Sequence, residues 1–255
     1  MTIDLNAIHT LIEGDGARSL LLLNGAGQSL RTWDHAVPGL LSAGRVIRFD
    51  VPGVGKSPSP GGPYSFEELG QAAMELAVRH GVGDLVVIGH AWGARAAQVI
   101  ARDFDVAGVV VGSGGGRFPP LAEPEDMRSL YVLDVDDWSR RFERAYCALD
   151  FSARDPELAN WLFRLVRETP VDRSVVTGAM ERSPVDSYWG QFECPTLLLY
   201  GADDLVGHSQ HAEDLHRLLP DSTLVYIEQA GHFVVAEQGE RFAAEVLRWI
   251  DEREL

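Results

Sequence analysis

Short apolar, β-branched runs recur along the chain, and segments of helical periodicity lie between them. The runs occupy residues 19–23, 46–50, 85–88, 106–111, 195–200 and 223–227. Continuous apolarity over so few residues predicts strands buried on both faces of a sheet. Helices are expected over 66–80, 94–100, 211–219 and 240–250. The first carries Leu69, Ala72, Ala73 and Leu76 at helical spacing, and the last puts Phe242, Val246 and Trp249 on one face. A weaker pattern at 8–12, closed by Gly14-Asp15-Gly16, reads as an edge strand. Strands alternating with helices in this way predict an α/β fold, with a mostly parallel, doubly wound sheet covered on both sides. From about 117 to 190 the strands disappear, and charged and aromatic helical segments take over.

The stretch around residue 91 organises the rest. Leu85-Val86-Val87-Ile88 runs into Gly89-His90-Ala91-Trp92-Gly93, and a segment rich in helix formers follows. Strand, glycine-flanked turn and helix make the frame of the nucleophile elbow, G-x-S-x-G. The glycines are needed because a Cβ at either position would meet the crossing strand or helix. Through this frame the chain resembles the α/β-hydrolase family, with Ala91 where a serine, cysteine or aspartate stands. A methyl group cannot attack a carbonyl.

The resemblance covers nearly the whole chain and implies a core over 1–116 and 191–255, with a helical lid inserted at 117–190. It implies a triad in the order nucleophile, acid, histidine, which falls on Ala91, Asp204 and His232. Asp204 is fourth in a Gly-x-x-Asp turn and is preferred to Asp203, while His232 sits in Ala-Gly-His-Phe. All three follow strands, where open α/β sheets place their sites. His232 would be the general base and then the acid, with Asp204 holding its tautomer. The loop Asn24-Gly25-Ala26 resembles the family's oxyanion loop with asparagine for the usual histidine, so the backbone amides of Ala26 and Trp92 are the expected oxyanion donors. Asn24, Trp138 and Trp189 are candidate substrate contacts, although aromatic residues at helical spacing also make lid core. His90 resembles the family's structural histidine beside the elbow.

Other motifs are weaker. Gly25 and Gly27 lack the third glycine of a dinucleotide loop, because position 30 is Leu30. Gly55-Lys56-Ser57 lacks the first P-loop glycine, since position 50 is Asp50. Ser113 is an alternative nucleophile without an elbow frame. His208 and His211 lie three apart, but no further ligand completes a metal site, and a solvated helix start is expected there.

The 255 residues suit one large α/β domain. A net charge of −16 disfavours nucleic acid and anionic membrane as partners, because like charges repel. Cys147 and Cys194 stand apart, and Cys194 is expected as a buried reduced thiol. With no signal-peptide pattern and no run of membrane-spanning length, a soluble cytoplasmic protein acting on a neutral or weakly polar small molecule is expected. No cofactor or metal is implied. Haloalkane dehalogenation would normally need an aspartate at 91. Hydrolysis of a carboxylic ester, thioester, lactone or carbon–carbon bond fits the same parts. Three readings of Ala91 stand open at this level: a serine hydrolase whose nucleophile has been replaced, a lyase or oxygenase-like enzyme using His232–Asp204 as a base without covalent catalysis, and a catalytically silent binding module.

Overall fold

The computed structural model describes residues 3–114, 133–207 and 209–255. Seven strands form one sheet in the order β1-β3-β2-β4-β5-β6-β7. They are β1 (Thr10–Glu13), β2 (Ser19–Leu23), β3 (Arg45–Phe49), β4 (Leu85–His90), β5 (Gly108–Gly112), β6 (Thr196–Gly201) and β7 (Ser222–Ile227). Only the β1–β3 pair is antiparallel; the other pairs are parallel. Each expected strand is present with ends moved by a residue or two. The largest changes are at β1 and β5, which begin two residues later than the apolar pattern, and at β4, which ends two residues later.

The apolar runs divide between the two faces by alternation. Val87, Val109, Val111 and Leu198 join one cluster with helices α2 (Phe66–Arg79) and α3 (Trp92–Asp103). Val86, Ile88, Val110 and Leu199 join the other, with α1 (Val37–Leu40) and the C-terminal helix α10 (Gly239–Glu252). Burying both faces is what a run of Val, Ile and Leu without polar interruption demands. Helix α2 starts at a capping box: the Glu68 amide donates to Ser65 Oγ at 3.1 Å and the Ser65 amide to Glu68 Oε2 at 2.8 Å.

Between β5 and β6 the described residues are helical: α4 (Val135–Tyr146), α5 (Phe151–Arg154), α6 (Pro156–Glu168) and α7 (Arg173–Arg182). Residues 117–132 of the expected lid lie outside the described residues. Helices α4 to α6 have their own aromatic core, which takes in Phe233 and Ala236 from the far end of the chain. Helix α8 (Ser209–Leu218) follows β6, and the short α9 (Val234–Glu237) precedes α10. No helix among the described residues is long and apolar enough to cross a membrane.

The turn after β4 brings backbone close against backbone. A Cβ on Gly89 would lie 2.5 Å from the Gly93 carbonyl oxygen, and one on Gly93 would lie 2.2 Å from that of Leu23. Both obstacles are backbone, so neither yields. Gly61, by contrast, is at positive φ (+82°) and has nothing within 4 Å of its added Cβ. Gly93→Ala should therefore cost about 3 kcal/mol or more, whereas Gly61→Ala should cost only about 1 kcal/mol of backbone strain. Urea unfolding of the two variants would measure the difference, and equal losses would refute the packing account.

Candidate active site

Ala91 joins β4 to α3 with φ 52° and ψ −113°, a conformation that non-glycine residues rarely take. Its amide donates to the Gly112 carbonyl at 2.8 Å, which ties the turn to the neighbouring strand β5. Because the turn is this sharp, Trp92 opens helix α3 directly, and its amide is one of the unpaired donors of a helix start. The Trp92 indole donates to the Val176 carbonyl of α7 at 3.1 Å, so the elbow is also fastened to the helical segment. Ala26 sits in an exposed turn closed by Gln28 N donating to Gly25 O at 3.1 Å, with Gly27 at φ +68°. Among the described residues, neither the Ala26 nor the Trp92 amide has an acceptor.

Asp204 and His232 come together from the loops after β6 and β7. His232 Nδ1 lies 3.2 and 3.1 Å from the two Asp204 carboxylate oxygens. Asp204 Oδ1 also accepts the amides of Val206 and Gly207, each at 2.8 Å. Burial alone would raise this carboxyl's pKa. The His232 charge and the hydrogen bonds from His232, Val206 and Gly207 outweigh burial and hold it below the ordinary aspartate value. With Nδ1 donating to the carboxylate, a neutral His232 keeps its lone pair on Nε2. Asp203 is exposed and makes no side-chain bond among the described residues; its backbone amide donates to Ala230 O at 2.9 Å.

His90 connects three stretches of the site. Its Nε2 donates to the His232 carbonyl at 2.6 Å, and its Nδ1 lies 3.0 Å from the Gln28 side-chain amide. Complete burial, reinforced by repulsion from His232, lowers its pKa to about 3, so it is neutral. A neutral ring that donates through Nε2 must accept at Nδ1, so this contact requires the Gln28 amide to present its NH2, the reverse of the orientation in which Oε1 stands 3.0 Å from Nδ1. The oxyanion-type loop, the elbow strand and the histidine turn are thus hydrogen-bonded in series.

Several expected contacts lie elsewhere. Asn24 is fully buried, with Nδ2 donating to Phe49 O and Oδ1 accepting the Trp33 indole, both at 2.9 Å. Both ends of its amide are consumed inside the core, which corrects the expectation of a substrate contact. Trp138 stacks on Phe142 at 4.7 Å inside the helical core, and Trp189 lies in the main core edge-on to His211. Neither indole has exposed surface, so both are packing residues: the apolar faces of their segments had to be buried somewhere. His211 is buried rather than solvated, and His208 lies outside the described residues. Ser113 is fully buried at φ 46°, and its hydroxyl has no partner among the described residues. Asp50 accepts the amides of Leu30 and Lys56 at 2.7 and 2.9 Å, so the Gly-Lys-Ser turn folds around a carboxylate. Cys147 and Cys194 are both free thiols; the first is buried and the second half-buried. A cavity of about 1020 Å³ borders Asp204, Leu149 and Arg144. It is lined by neither Ala91 nor His232, and the Asp204 carboxylate is fully covered from it. It is therefore not where chemistry at residue 91 would take place.

The description "Alpha/beta hydrolase family" belongs to a family model that matches residues 20–245. The chain belongs to the α/β-hydrolase family. Among its relatives is the Escherichia coli O9:H4 protein named "Putative carbamate hydrolase RutD", 25% identical over 89% of each chain. A thermophilic esterase from Thermogutta terrifontis superposes with a TM-score of 0.82 at 23% identity, covering 97% of this chain and 94% of that one. The enol-lactonase of Burkholderia xenovorans LB400 gives 0.81 at 20% identity, over 96% of each chain. These likenesses in structure show that the α/β-hydrolase fold is shared.

The residues that the motifs did not reveal are Gln28, Tyr146 and Glu237. Glu237 is a carboxylate inside an otherwise apolar short helix, Val234–Glu237, and that anomaly was the available signal. His90 yields a pH prediction. Its pKa in the folded chain is below the unfolded value of 6.5, so the unfolded state takes up the proton first and stability falls as pH drops from 6.5 toward 3. Replacing it by His90→Gln should flatten the stability curve below pH 6.5 by about 1.4 kcal/mol per pH unit relative to the unsubstituted chain. Urea midpoints at pH 7.5, 5.5 and 4.5 would show this; parallel curves would mean His90 titrates normally.

Proposed function

We propose that this chain is the nucleophile-lacking form of a hydrolase that splits a carboxylic ester, thioester or lactone by acyl transfer. The observation that carries the reading is the Asp204–His232 pair, at 3.1 to 3.2 Å, in a fold that also keeps a strained elbow at position 91. A positive φ at a non-glycine residue costs about 1–3 kcal/mol, and it lifts one side chain clear of the sheet. The carbamate hydrolase name of the relative and the esterase and lactonase titles of the structural neighbours support a carbonyl substrate.

The roles follow from elementary chemistry. A serine hydroxyl at position 91 would attack the substrate carbonyl while His232 Nε2 takes its proton. Asp204, kept ionised, would stabilise the imidazolium and hold the tautomer. The amides of Ala26 and Trp92 would donate to the oxyanion. His232 would then protonate the departing alcohol or thiol, and later take a proton from the water that releases the acyl group as acid. The segment 117–190 would act as the lid over a small neutral or weakly polar substrate. With Ala91, every step after binding lacks its nucleophile, so substrate binds and is not turned over. A second reading rests on the same pair: His232–Asp204 without a serine is a complete base, suited to proton abstraction without a covalent intermediate.

The test compares this chain with Ala91→Ser on p-nitrophenyl esters, lactones and thioesters, with intact mass after a fluorophosphonate probe. Labelling and turnover should appear only with the substitution. Adding His232→Ala to that background should then remove about 10⁴-fold or more of the turnover. If Ala91→Ser is neither labelled nor active on any of the three classes, acyl transfer is the wrong reading.

A further inference from the structure

The turn that carries His232 is fastened by a carboxylate that takes no part in the acyl-transfer scheme. Glu237 is only 5% exposed. Its Oε1 accepts the amides of Gly231 and Phe233, both at 3.1 Å, so the residues on either side of His232 share one oxygen. Its Oε2 accepts the Ala148 amide at 2.7 Å and stands 3.2 Å from that of Gly231. Ala148 lies just beyond α4, and Tyr146, the last residue of that helix, accepts the His232 amide through its carbonyl at 2.7 Å. The fit leaves no slack: a Cβ on Gly231 would lie 2.4 Å from the Cys147 carbonyl carbon.

Among the described residues no basic side chain pairs with Glu237. Burying an unpaired carboxylate is costly. Here burial is the largest influence on the group and pushes its pKa up to about 7, against the pull of three backbone amides. Asp204 adds repulsion from the site side, and the buried Cys147 thiol faces it from the end of α4. A glutamate retained at such expense, on the backbone of a single turn, calls for a reason beyond filling space.

We propose that Glu237 is a positioning residue: its carboxylate locks the Gly231–Phe233 turn to Ala148 and thereby holds the His232 imidazole on Asp204. The inference rests on reading His232 as the working base, and it makes the end of helix α4 a structural partner of the triad. Loss of the lock frees the turn to rotate and lengthens the Nδ1 to carboxylate hydrogen bonds. No contact between Glu237 and substrate is implied.

The measurement is proton NMR of the full chain labelled with ¹⁵N-histidine, following the low-field imidazole proton of the His232–Asp204 bond. His232→Gln assigns the signal by removing it. In Glu237→Gln one acceptor oxygen becomes an NH2 group facing backbone amides. The imidazole proton should then exchange with solvent about tenfold faster or more, the factor for losing one hydrogen bond to a charged acceptor. Glu237→Asp keeps the charge and, one methylene shorter, still reaches part of the three-amide set, so it should give a smaller acceleration in a chain that folds. Glu143→Gln is the control: Glu143 lies on α4 and bonds Ser152 N and Oγ at 2.6 and 2.8 Å without touching the histidine turn. It should leave the signal as it is. Unchanged exchange in both Glu237 variants would overturn the proposal, and so would an equal acceleration in Glu143→Gln. The readout needs no turnover, so an inactive Ala91→Ser chain would remove the acyl-transfer reading while a Glu237 effect on the His232 bond stood by itself.

Discussion

The close approach of β4, α3 and the end of β2 sets the terms for everything near the site. Gly89 and Gly93 bring backbone against backbone, and a single added carbon would stand 2.2 to 2.7 Å from main-chain atoms on either side. This proximity forces the intervening residue into a positive φ. It also starts helix α3 one residue after the strand, and among the described residues the Trp92 amide beside the turn has no acceptor. The strain at Ala91 is held in place by the Gly112 carbonyl and by the buried neighbouring strands. Alanine accepts the same backbone as a serine would, so the geometry of the elbow persists without the group that would act from it.

Around this turn the protein uses neutral and charged groups differently according to what surrounds them. His90, fully buried among apolar neighbours, loses its basicity and acts as a hydrogen-bonded strut. Asp204 is equally buried but accepts two backbone amides and the His232 ring, and it stays ionised. Glu237 accepts three backbone amides without a histidine partner, and burial prevails. The difference between the two carboxylates follows from the imidazole partner that only one of them has among the described residues, since backbone dipoles alone do not replace lost hydration completely.

The helical segment is joined to the core through backbone carbonyls as much as through its aromatic cluster. Val176 receives the Trp92 indole, Tyr146 receives the His232 amide, and Ala148 donates to Glu237. Displacing these helices would therefore disturb the elbow and the histidine turn together. Such coupling gives a physical reason why substrate-dependent changes in the segment would be felt at the base.

Much of the architecture was legible from the chain alone. Uninterrupted Val, Ile and Leu runs can only be strands buried on both faces, and the glycine pair around position 91 has few other uses. The order of Ala91, Asp204 and His232 along the sequence supported the resemblance, and each of the three follows the carboxyl end of a strand. Side-chain partners were not legible in that way. Asn24, Trp138 and Trp189 look like contact residues in a list of types, but hydrogen bonding and packing against residues distant in the chain decided that they face inward. Glu237 shows the same division. Its anomaly in an apolar helix is local, whereas its partners are Ala148, Gly231 and Phe233, and only the tertiary fold brings the first of these within 2.7 Å. Periodicity is a property of neighbours in sequence and settles which face is apolar; what that face meets is a property of the closed fold.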